Sequence, residues 1–146
     1  GAETDALAGV GLTFEEFLSR EQDSGKLKLN LSPLNVDRAI VHGHCHQKAF
    51  AVMDEVKTAL LLVPDLEVEI IDSGCCGMAG AFGYEAGNYD ISMTMGEIGL
   101  FPAVRGASSD TLIVASGTSC RHQIRDGAGR EAVHVARVLE KALGNK

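Results

Sequence analysis

Four cysteines, Cys45, Cys75, Cys76 and Cys120, carry most of the chemical potential of this 146-residue chain. As thiolates they are nucleophiles and soft metal ligands. Two of them are adjacent, in the stretch Ser73-Gly74-Cys75-Cys76-Gly77-Met78-Ala79-Gly80-Ala81-Phe82-Gly83. Glycine has no Cβ and accepts positive φ, so Gly74 and Gly77 would let the backbone close around a bulky group. A cysteine doublet suits a cluster, whose separate irons can each take a ligand, better than one tetrahedral zinc, for which C-x₂₋₄-C spacing is usual. Histidines add to the pattern: His42, His44, His46 and His122 stand beside cysteines. All four are candidates to orient the ligands, donate to sulfur or handle protons, with His44, His46 and His122 taken as neighbours of the ligands; capping of helices is the plain alternative. His134, remote from every cysteine, reads as structural.

Three other readings of the same residues stay open. Zinc is the main rival, because histidine flanks Cys45 on both sides and follows Cys120 by two residues. Buried structural thiols are the plain alternative. Disulfides fit less well, since a large acidic chain with no expected signal sequence is not read as secreted and a bridge between Cys75 and Cys76 would be strained.

The elements that must position the cysteines can be read from periodicity. Ala39-Ile40-Val41 and Thr111 to Ala115 are apolar runs expected as buried strands, and Leu66 to Ile71 is expected as a strand between them. Helical spacing follows each: Ala49, Val52, Met53, Val56, Ala59, Leu60 and Val63 up to Pro64, then about Gly87 to Gly99, then a helix beginning near Ser119. Leu27, Leu29 and Leu31 alternate with polar residues and predict an edge strand, and a short piece near Val133 leads into a last helix carrying Val135, Val138, Leu139 and Ala142. Thr13 and Glu16 have the spacing of a capping box, with Phe14, Phe17 and Leu18 behind them. This order predicts one α/β domain over residues 1–146: a mainly parallel sheet of four or five strands with helices on both faces, residues 1–12 being irregular. In such a sheet all strand-to-helix corners share the C-terminal edge, where ligands bind. Every cysteine follows an expected strand, so topology would gather all four. Helix N-termini at those corners would favour thiolate.

Composition narrows the function further. With 45% apolar and 23% charged residues, the chain is expected to fold around a core. A net charge of −7 disfavours nucleic acid as a partner. No run approaches the roughly 20 apolar residues of a membrane span. A cytoplasmic location is expected, or one at the inner face of a membrane through other parts of a larger protein. The ends read as those of a fragment.

Val41-His42-Gly43-His44-Cys45-His46, Gly74-Cys75-Cys76-Gly77-Met78-Ala79-Gly80 and Ser119-Cys120-Arg121-His122 resemble the motifs of the cysteine-rich CCG domain. That domain occurs in heterodisulfide reductase and in the iron–sulfur component of glycolate oxidase. The resemblance runs from about Thr13 to Leu143 and is nearest to the C-terminal region of bacterial fusions of the D-lactate and D-2-hydroxyglutarate dehydrogenase type. It implies an FAD domain and a ferredoxin-like segment in the same polypeptide, hydride transfer from a 2-hydroxy acid to FAD, and passage of electrons towards an acceptor such as a quinone. It further implies that Cys45, Cys75, Cys76 and Cys120 hold an iron–sulfur cluster. The family pattern ends in CxxC, whereas Gly117 stands three residues before Cys120, so four thiolates remain, enough for a [4Fe–4S] centre. A histidine in place of the fifth thiolate, or a non-redox docking domain with zinc or an empty thiol site, is the alternative.

Overall fold

Residues 1–144 are described by a computed structural model. Three parallel strands form its sheet: β1 (Arg38–His42), β2 (Glu67–Ile70) and β3 (Leu112–Ala115), in the order β2-β1-β3. Ala39 pairs with Val68 on one side and Leu112 on the other, so the central strand has neighbours along both edges. Alternate residues feed opposite cores, as a sheet buried on both faces requires. Ala39, Val41 and Val114 enter one cluster, with Leu18 of α2 (Phe14–Asp23), Val56 and Leu60 of α4 (Met53–Leu61), and Val138 and Leu139 of α8 (Val135–Ala142). Ile40, Ile113 and Ala115 enter the other, with Phe101 and Val104 of α6 (Leu100–Gly106) and Ile124 of α7 (Thr118–Ala128). The α/β architecture with helices on both faces is the one expected.

The strand count differs from the expected four or five. Near Val133 only a single bridge forms, to Val114. Gly129 ends α7 in a left-handed turn and His134 already caps α8, so too few residues lie between them for a ladder. Leu27 and Leu31 do pack against the core, but residues 26–31 make no strand; Ser32 N–H instead donates to the Ala142 carbonyl at 2.8 Å. Residues 1–12 are not wholly irregular either: Ala2–Ala8 forms a helix, α1, without a buried residue. Its alanines and leucine have high helix propensity, which needs no amphipathic period.

The helices also break differently. The segment behind β1 is two helices, α3 (Cys45–Ala49) and α4, separated where Ala51 adopts φ 56°. A second helix, α6, follows α5 (Tyr89–Glu97) directly. The Thr13–Glu16 capping box is present on α2, with Thr13 N–H donating to Glu16 Oε2 at 2.7 Å.

Candidate metal centre

The three strand-to-helix corners meet at the C-terminal edge of the sheet. Cys45 opens α3 directly after β1, Cys120 lies in the first turn of α7 after β3, and Cys75 and Cys76 stand in the long segment between β2 and α5. Cys45 Sγ is 3.8 Å from Cys75 Sγ. Cys76 Sγ and Cys120 Sγ form a group with a ring nitrogen of His42 in which all the atoms lie within 4.8 Å of one another. The thiols grade from core to solvent: Cys76 and Cys120 are buried, Cys75 is half-buried and Cys45 is exposed. All four are free thiols. A shallow cavity of about 260 Å³ beside the thiols is lined by His44, Gln47, Ser116 and Gly117.

The site is braced from several directions. Lys48 of α3 donates to the carbonyls of Ser73 and Gly74, the second at 2.9 Å, and so ties α3 to the cysteine doublet. Gly77 N–H donates to Cys75 Sγ at 3.3 Å. Gly77 has φ +99°, and a Cβ there would lie 2.1 Å from the Ser92 carbonyl oxygen. Its lack of a side chain therefore serves packing against α5, not the approach of a cofactor. Gly74 differs: a Cβ there would meet nothing within 4 Å. Gly117 closes against the site, since a Cβ would lie 2.5 Å from the His44 ring and 2.9 Å from Cys120 Sγ. The imidazole of His44 thus fills the space into which a side chain at 117 would project.

The remaining histidines take distinct places. His44 caps α3, its Nδ1 accepting from His46 N–H at 3.2 Å, and the two rings meet edge to face. His46 is exposed. His122 shares a hydrogen bond of 2.7 Å between Nδ1 and the Tyr84 hydroxyl. His134 caps α8, accepting from Ala136 N–H at 3.0 Å, a structural use.

Two further residues belong to this edge: His42, placed by the sequence only among the histidines near the cysteines, and Glu15, which the sequence does not mark. His42, 1% exposed, ends β1 with Nδ1 3.0 Å from Ser73 Oγ, while its Nε2 is buried without a hydrogen-bond partner. The signal was its place among the histidines near Cys45, but its burial needed the sheet. Glu15 of α2 is buried, and its Oε1 accepts from Gln47 Nε2 at 3.2 Å and Ser116 Oγ at 2.9 Å. It joins the first and third corners from behind, and nothing local distinguishes it from an ordinary acidic residue in a first helical turn.

Electrostatics depart from the helix-terminus expectation. Cys76 is held down to about 4, first by the Cys120 thiol donating to it, against the cost of burial, and then by the His42 ring and the Met78 backbone N–H. Cys120 is pushed up, by the neighbouring Cys76 and by burial. Burial, and then Cys75, raise Cys45, with Lys48 opposing. Burial lowers His44 as well, followed by repulsion from His46. A five-residue helix supplies little dipole, and crowding of like groups outweighs it.

These residues suit a metal centre. Four soft donors stand along one rim, as a Cys45–Cys75 pair and a buried Cys76–Cys120 pair, and beside the second pair one buried imidazole nitrogen has no partner. Buried polar atoms are ordinarily satisfied, and a metal at this place would satisfy that nitrogen.

Comparison with known proteins gives relatives of one kind. The chain is 32% identical over 127 residues to a component of the anaerobic glycerol-3-phosphate dehydrogenase of Escherichia coli strain K12, covering 87% of this chain and 31% of that protein. It is 33% identical over 73 residues to D-2-hydroxyglutarate dehydrogenase of the same organism, covering 50% of this chain and 7% of the relative. The Pantoea ananatis D-2-hydroxyglutarate dehydrogenase is 32% identical over 73 residues. The chain therefore spans about a third or less of the length of these relatives. No protein-family model matches it. No solved structure matches it.

Proposed function

We propose that this chain is the iron–sulfur electron-transfer module of an FAD-linked dehydrogenase, of the CCG type, passing electrons from flavin towards an acceptor such as a quinone. The observation that supports this reading is the placement of the Cys45–Cys75 and Cys76–Cys120 pairs, from three corners remote in sequence, along one edge of the sheet. The names of the relatives support it: both substrates they mention are small acids with a secondary hydroxyl, whose oxidation releases two electrons that must leave the flavin. A 2-hydroxy acid is the proposed substrate class of the whole protein, and FAD and ferredoxin-like domains of the same polypeptide are its proposed partners. No helix among the described residues is long and apolar enough to cross a membrane, and a cytoplasmic position, or one at the inner membrane through other parts, is proposed.

In this reading Cys45, Cys75, Cys76 and Cys120 hold the cluster, and the cluster supplies one-electron transfer. Cys76 and Cys120 anchor it in the core, whereas Cys45 and Cys75 leave its outer side towards solvent and a partner. Gly77 N–H steadies the Cys75 sulfur, and Lys48 keeps the two halves of the rim together.

One observation favours a second reading. Zinc–sulfur bonds of about 2.3 Å at a tetrahedral angle place two sulfurs about 3.8 Å apart, the separation of Cys45 and Cys75. A structural zinc in a docking domain would account for that spacing. Anaerobic reconstitution of the chain with iron and sulfide separates the two. The redox reading expects a brown protein, an EPR signal on reduction, loss of iron in Cys75→Ser and Cys76→Ser, and unchanged iron in His134→Ala. Colourless protein that retains zinc would overturn it.

A further inference from the structure

The cysteines account for the sulfur donors of the site and leave one buried group without a role. His42 is the last residue of the central strand and 1% exposed. Its two ring nitrogens face different surroundings. Nδ1 lies 3.0 Å from Ser73 Oγ. Nε2 is sealed from solvent and makes no hydrogen bond. The ring belongs to the group with Cys76 Sγ and Cys120 Sγ whose ligand atoms lie within 4.8 Å of one another.

We propose that His42 is itself a ligand of the metal centre, binding through Nε2 beside the sulfurs of Cys76 and Cys120. The inference rests on the iron–sulfur reading given above and adds a nitrogen donor to its four thiolates.

Three physical arguments carry it. A buried polar atom without a partner forfeits its hydration and gains nothing in return, so an imidazole nitrogen is rarely left in a core without something to bind. The tautomer with its proton on Nδ1, donated to Ser73 Oγ, leaves the Nε2 lone pair directed to the site. Metal-binding histidines have this arrangement, one nitrogen on the metal and the other donating to a fixed acceptor that sets tautomer and ring orientation. The strand that carries the ring is itself held, because β1 is paired on both sides and His42 stands in register with Ala115 of β3. Ser73 lies two residues before Cys75, so the group that orients the imidazole belongs to the same segment as the cysteine doublet.

The chemical consequence is a mixed donor set. With an imidazole as the fifth donor instead of the fifth thiolate of the CCG pattern, the ligand set carries one negative charge fewer, which raises the reduction potential of an iron–sulfur centre. His44, which occupies the space beside Gly117, is not needed for this: its Nδ1 is engaged by His46 N–H as the cap of α3.

The test is anaerobic reconstitution of the 146-residue chain with iron and sulfide, with histidine labelled by ¹⁵N, followed by pulsed EPR of the reduced protein. The expected result is a strong hyperfine coupling from one directly bound imidazole nitrogen. His42→Cys, which keeps a ligand at that position, should retain iron, lose the nitrogen coupling and show a lower reduction potential. Iron bound at the wild-type level with no strong nitrogen coupling overturns the assignment while leaving the cluster reading intact. Coupling that persists in His42→Cys also overturns it, in favour of another histidine. A chain that takes up neither iron nor sulfide overturns the cluster reading and the assignment together. The labelled wild-type protein decides the question even where a substitution in this buried strand prevents folding.

Discussion

Replacing Gly77 by alanine should cost this protein a large part of its stability, and replacing Gly74, three residues earlier, should cost almost none. The magnitude follows from the geometry. Gly77 has φ +99°, a backbone conformation whose cost for an L-residue is about 1–3 kcal/mol. The added Cβ would stand 2.1 Å from the Ser92 carbonyl oxygen and 3.0 Å from Gln123 Nε2. The carbonyl belongs to the backbone of α5, so relief requires movement of the helix, worth about 1–3 kcal/mol by comparison with overpacked cores. Gln123 Nε2 donates to that same carbonyl at 3.0 Å and to Ser92 Oγ at 2.9 Å, and disturbing this buried contact adds about 1 kcal/mol. Together these give a loss of about 3–7 kcal/mol and a fall in Tm of about 2–4 °C per kcal/mol for a chain of this size. Gly74→Ala places its methyl in open space with an unremarkable φ, so its effect should stay within about 0.5 kcal/mol. Thermal and urea unfolding of the two variants beside the parent measure both. Alanine keeps the N–H that donates to Cys75 Sγ, but the backbone shift that relieves the clash should displace it, so Gly77→Ala should lower bound iron after reconstitution as well. A Gly77→Ala protein melting within about 2 °C of the parent would refute the account of this turn.

Further outcomes are expected elsewhere. In metal-free protein Cys76 has a folded pKa of about 4, well below the ordinary thiol value, and Cys120 one above it. The pair should therefore add stability as pH rises from about 4 towards the ordinary thiol range and lose it above that range; urea midpoints against pH should show this maximum, and Cys76→Ser should flatten the rise. Glu15→Ala leaves Gln47 Nε2 and Ser116 Oγ without their shared acceptor and should destabilise the fold by about 1–3 kcal/mol, read by urea unfolding, with looser metal retention against a chelator. His134→Ala removes the α8 cap and should cost about 0.5–2 kcal/mol in the same unfolding assay, with bound iron unaltered.

Much of the fold was legible because its cause is local. Buried strands of a parallel sheet are continuous apolar runs, so Ala39-Ile40-Val41 and the run ending at Ala115 stood out. The capping box at Thr13 is a contact over three residues and was readable for the same reason. The strand expected at 27–31 was not formed, since alternation states only that one side is buried: Leu27 and Leu31 are covered by packing, while the backbone just after them finds a partner in α8 instead of a strand edge. The break between α3 and α4 was equally hidden, because the positive φ of Ala51 has no signature in an alanine.

What the residue order determined by itself was the set of donors and the edge to which they belong: cysteines that follow strands must share the C-terminal rim once the strands run parallel. Only the tertiary structure decided how those donors relate. It made Cys76 and Cys120 core residues and left Cys45 at the surface, it pushed the two buried thiols in opposite directions, and it turned His42 inwards with a nitrogen unpaired. Burial and proximity are properties of distance in space, and segments far apart along the chain acquire them only when the sheet brings their corners together.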